Sequence, residues 1–154
     1  MKVRLLLCAI SLILFNSSFS QEAPVAVLED GDVEKYAESV VPMTKEFKKL
    51  GLDMDGDPKN IGQEWAKDAE VKSVLEKYGW NEEFALKFSA ITWAYTYLKI
   101  KTEIDKMPDD QKAQAEAMMP MFEMYINMVH DDDIKIVETK MDQLDAAFKG
   151  LEKL

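Results

Sequence analysis

Residues 81–106 read NEEFALKFSAITWAYTYLKIKTEIDK. This stretch decides the fold class. Asn81 is a residue type that caps helices, and Glu82 and Glu83 follow in what would be the first turn, where the helix dipole favours negative charge. Phe84, Phe88, Ile91, Tyr95 and Leu98 recur at helical spacing. Trp93, Tyr97, Ile100, Ile104 and Met107 form a second stripe on another side. Two stripes imply burial on more than one side, as expected of a central helix. Over 81–106 it would be roughly 39 Å long at 1.5 Å per residue.

The same period continues outward in both directions. Pro108 breaks the chain and starts a helix predicted over 109–129, with Met118, Met121, Tyr125 and Met128 on one face and a kink expected at Pro120. His130 and three aspartates make a junction, with the histidine expected at a helix end or on the surface. A last helix is predicted over 134–149, where Ile134, Val137, Met141, Leu144, Phe148 and Leu151 alternate by three and four, and Gly150 is expected to end it. That seam is shorter than a coiled coil requires, so it is expected to pack inside the same molecule.

On the other side, Val33, Tyr36, Val40, Phe47 and Leu50 predict a helix over 33–50, kinked or split by Pro42. A further helix is predicted over 58–78, started by Asp57-Pro58, bent near Asp68 and ended by Gly79. The tyrosines and tryptophans are expected mostly in the core, with Trp80, beside Gly79, the candidate for a surface contact. No segment shows two-residue alternation and no long repeat is present. The expectation is an all-α bundle of four to five helices, some kinked by proline, forming a single domain over 32–154.

The first twenty residues have the grammar of an export signal. Lys2 and Arg4 precede an apolar run over 5–15, about eleven residues against the roughly 20 needed to cross a bilayer. Ser18 and Ser20 are the small residues a signal peptidase reads. Cleavage is expected before Gln21, leaving 21–31 as a flexible lead. Losing Lys2 and Arg4 takes the charge of the 154-residue chain from −10 to −12 and removes its one arginine; the one cysteine, Cys8, leaves as well. A disulfide-free export product suggests a bacterial periplasm or exterior rather than a small animal secretory domain. Strong negative charge without arginine argues against nucleic acid and anionic membranes as partners. No stable membrane insertion is expected once the signal is removed.

Asp53-Met54-Asp55-Gly56-Asp57, with Glu64 eleven residues after Asp53, resembles the calcium loop of the EF-hand family. The resemblance covers twelve residues. It implies Asp53, Asp55, Asp57 and Glu64 as calcium ligands. The chain departs from the family where the loop needs Gly for a sharp turn and has Pro58, and where it needs an apolar residue and has Asn60. The alternative is an acidic turn that caps the helix beginning at Pro58, and this is the preferred reading.

Met118, Met119, Met121, Met124 and Met128 lie within eleven residues, followed by His130. Thioether sulfur is a soft ligand suited to Cu(I). On one continuous helix Met118, Met121, Met124 and Met128 fall within about 120° of arc. The plainer expectation is that these methionines fill core gaps. There is no G-x-S-x-G elbow, no Gly-rich phosphate loop, and one His, too few for a His-rich zinc site. The sequence therefore favours a non-enzymatic binding or accessory protein of the bacterial envelope, without cofactor, whose partner is a protein or a small apolar ligand. The alternative is a metal-binding protein using the 53–64 loop or the methionine cluster.

Overall fold

The computed structural model describes residues 24–51 and 68–154. The described chain is all-α. Its helices are α1 (Asp32–Lys49), α2 (Ala69–Lys77), α3 (Phe84–Asp105), α4 (Asp109–Glu116), α5 (Met119–Ile126), α6 (Asp131–Glu138) and α7 (Met141–Leu151). No strand occurs among the described residues. The chain divides into two compact units, and the boundary falls inside α1, between Val41 and Pro42.

The smaller unit contains the end of α1 and all of α2. The predicted bend at Asp68 is a helix start: its Oδ1 accepts from the backbone N–H of Glu70 at 2.8 Å and of Val71 at 3.4 Å. The predicted turns before it, 58–67, lie outside the described residues. Gly79, at φ +75°, closes α2. Its N–H donates to the carbonyl of Glu76 and that of Trp80 to Leu75, each at 2.9 Å. This double bond pattern folds the chain back over the last turn and carries the residue after the glycine inward. Trp80 is therefore 3% exposed, and the expected surface tryptophan is a core residue. Glu46 of α1 accepts from Lys77 Nζ at 2.6 Å and from the Tyr78 hydroxyl at 2.7 Å. Those hydrogen bonds, Lys77 first, hold the Glu46 carboxyl below the usual range.

In the larger unit the helices gather around α3, which packs against α4, α5 and α6. Phe84, Ala90, Ile91, Ala94, Ile100 and Ile104 are buried, so the two-sided pattern of the sequence is realised. The helix starts later than predicted. Residues 82 and 83 form a turn, and Glu83, not Asn81, stands at the cap, its carbonyl accepting from Leu86 and Lys87. α3 has 22 residues, about 33 Å at 1.5 Å per residue.

Three predicted helices differ in their continuity. Pro42 does not split α1, which runs through it. The proline leaves the Glu38 carbonyl without an N–H partner, but Glu38 is exposed and water can serve it. Pro120 does more than kink: the helix predicted over 109–129 ends at Glu116 and restarts at Met119. Proline cannot supply the N–H that the Glu116 carbonyl would need, and in the first turn of α5 its missing donor costs nothing. The helix predicted over 134–149 is likewise two. Thr139 turns its hydroxyl onto the Ile136 carbonyl at 2.8 Å, a local bond that competes with the helical ladder. Lys140 leaves helical geometry, and its ammonium pairs with Glu34 of α1.

Gly150 was expected to end the last helix; it lies within α7 instead. A Cβ there would sit 2.8 Å from Val41 Cγ2. The glycine lets α7 approach α1 closely. Beside it, Tyr36 of α1 is fully buried, 6.0 Å from the Phe88 ring and 6.3 Å from that of Phe148. Phe148 in turn stacks on Tyr95 at 4.4 Å. The Tyr95 hydroxyl donates to Asp145 at 2.7 Å, and Lys99 reaches both oxygens of the same carboxylate.

The segment before α1 is held rather than loose. Leu28 is 7% exposed, a burial worth about 1.5–3 kcal/mol. Asp32 Oδ2 accepts from the Glu29 N–H and from Lys87 of α3, each at 2.8 Å. These contacts tie the entry to α1 onto α3. No helix among the described residues is long and apolar enough to cross a membrane.

Candidate binding cleft

The strongest candidate site lies in the larger unit, where α3, the end of α5 and the start of α6 meet residue 24. A cleft of about 390 Å³ is lined there by Pro24, Tyr97, Ile126, Asn127, Val129, His130, Asp131 and Ile134. Ile126 and Val129 are buried, Ile134 is half-buried, and Tyr97, Asn127 and His130 supply polar groups. With Asp131, these polar groups make up the larger share of the exposed lining, and the apolar side chains the smaller. A second depression of about 360 Å³ lies between the start of α1 and α6. Its charged residues are committed to ion pairs, Lys140 with Glu34 and Lys135 with Asp132.

His130 is positioned by the junction the sequence marked. It stands at the cap of α6 with extended backbone, and its Nδ1 accepts from the Asp132 N–H at 3.1 Å. A ring nitrogen that accepts must carry a lone pair, so in the neutral imidazole the proton sits on Nε2. The ring nitrogen left free by the cap is then a donor. The neighbouring Asp132 is held below the ordinary carboxylate range, first by its hydrogen bond from Lys135 and then by the Lys135 charge.

Asp133, three residues after His130, is 1% exposed. Its carboxylate accepts from the Leu28 N–H at 2.9 Å and from the Val27 N–H at 3.1 and 3.2 Å. Sequence reading treated the three aspartates as one polar junction. The signal that singles out the third is its place four residues before Val137, on the buried face of α6.

No family model, curated protein or solved structure matches this chain.

Asp53, Asp55, Asp57 and Glu64 lie outside the described residues. Met118 falls in the turn before α5 and Met128 in the turn after it, each 50% exposed. Neither is on the continuous helix that the shared arc assumed, and neither fills the core. Met121 and Met124 lie within α5, and their side chains are outside the described set. Among the described residues no group of three or more His, Cys, Asp or Glu is placed to hold a metal ion.

Proposed function

We propose that this is a non-enzymatic binding protein of the bacterial envelope that takes an apolar protein segment or small apolar ligand in the cleft beside His130. The observation that carries this reading is the histidine itself. Its Nδ1 caps α6, so the neutral ring presents a hydrogen-bond donor rather than a base. A donor beside Ile126, Val129 and Ile134 can orient a ligand. The negative chain adds a preference for ligands with a positive end.

The direct test is titration with a dansyl-labelled apolar peptide carrying one lysine. Saturable one-to-one binding is expected, weakened roughly tenfold, or about 1.4 kcal/mol, by Ile134→Lys. Absence of binding, or binding indifferent to both Ile134→Lys and Tyr97→Ala, refutes the assignment. Export is tested separately by N-terminal sequencing of the secreted protein. It should begin at Gln21, and an intact Met1 would refute export with cleavage.

A further inference from the structure

Residues 24–29 have no regular secondary structure, and they reach the cleft at one end and α1 at the other. Their attachments are few and unevenly placed. Leu28 is their one buried side chain; Val25, Ala26 and Glu29 are exposed. The Val27 and Leu28 N–H groups both end on one carboxylate, Asp133, more than a hundred residues away in sequence. Downstream, the turn from Glu29 to Asp32 is fixed by the Asp32–Lys87 pair, and Gly31 at φ +95° gives the chain its change of direction. Upstream, Pro24 forms one side of the cleft.

We infer that residues 24–29 are a releasable strap: it opens as a unit when Val27 and Leu28 leave Asp133, hinging at the Glu29–Asp32 turn, while the helices stay folded. Release would take the Pro24 side off the cleft and admit a ligand that the closed cleft cannot. The physical basis is the disparity in attachment. A segment held by buried Leu28, half-buried Pro24 and Val27, and the hydrogen bonds to Asp133 and Asp32 opens at lower free energy than a helix packed on two sides. The local opening stands on these contacts alone; only its purpose rests on the cleft being the binding site.

The test is amide hydrogen exchange followed residue by residue on the full protein. Val27 and Leu28 are expected to exchange at least about tenfold faster than Ile91 and Leu144, with little dependence on low denaturant, the mark of local opening. Asp133→Asn, a weaker neutral acceptor, should speed Val27 and Leu28 roughly tenfold further and leave the α3 amides unchanged. Leu28→Ser removes the other attachment without touching α6 and decides the matter if Asp133→Asn does not fold. Exchange of Val27 and Leu28 at the α3 rate with the α3 denaturant dependence overturns the strap, as does a variant that speeds all amides alike. The dansyl peptide separates the two readings. Local opening without peptide binding in any variant sinks the cleft as a binding site and leaves the strap standing. Peptide binding whose rate ignores strap release overturns the strap as a wall of the cleft.

Discussion

Gly150→Ala is the substitution whose outcome depends most on the tertiary structure. In an isolated helix it should stabilise, because glycine is about 1 kcal/mol worse than alanine in a helix interior, and somewhat less so this close to a helix end. Here the new Cβ would meet Val41 Cγ2 at 2.8 Å, about 1 Å inside a comfortable carbon–carbon contact. Val41 has little freedom to yield. It is β-branched and sits in α1, where one side-chain rotamer dominates. Forcing it away, or pushing the helices apart, costs about 1–3 kcal/mol. The contact therefore outweighs the propensity gain, and Gly150→Ala should destabilise by about 1 kcal/mol. Val41→Ala removes the obstructing methyl. In that background Gly150→Ala should stabilise by about 0.5 kcal/mol, a coupling of about 1.5 kcal/mol between the two sites. Urea denaturation of the four proteins in the cycle measures it. A Gly150→Ala protein more stable than wild type, or a coupling near zero, would show that α7 does not press on α1 at this glycine.

Acid should weaken the Tyr95–Lys99–Asp145 cluster. Burial alone would raise the Asp145 pKa, but the hydrogen bonds from Lys99 and Tyr95 overcome it and hold the carboxyl below its ordinary value. A depressed folded value means that this stability is present above the unfolded pKa of about 3.9 and is lost as pH falls through the folded one. Asp145→Asn should therefore be less stable than wild type near neutrality, and the gap should close on acidification; urea midpoints that stay equally far apart down to about pH 2 would contradict it. For the acidic loop, the melting curve in millimolar calcium is expected to match the calcium-free curve, because Pro58 stands where the EF-hand turn needs glycine. A calcium-dependent rise of about 1.4 kcal/mol, lost in the Asp53→Asn/Asp55→Asn protein, would reverse that expectation.

The candidate site was partly legible. His130 was marked as a helix-end residue, and it is one. Its tautomer was not legible, because that depends on which ring nitrogen meets the Asp132 amide. Asp133 could not be told from Asp131 and Asp132 by composition. What separates them is the direction each faces on α6, and the partner that neutralises its burial comes from a backbone more than a hundred residues away. The helix over 109–129 is broken before Met119, so the shared arc read from the sequence, which exists only on an unbroken helix, does not hold for Met118 and Met128.

The sequence by itself determined the class of structure. Apolar residues every three or four positions cannot line one side of a strand, so the two stripes over 84–107 could only be buried by a helix with neighbours on several sides. It also determined the end at Gly79, because glycine takes a positive φ without strain; at Pro120 it indicated a kink, and the break there was decided by the structure. Tertiary structure alone decided the rest. It carried Trp80 inward, kept Gly150 helical against Val41 and bound residues 27 and 28 to Asp133. Each of these is a contact between segments, and local pattern carries no information about which distant segment will arrive, or how close it must come.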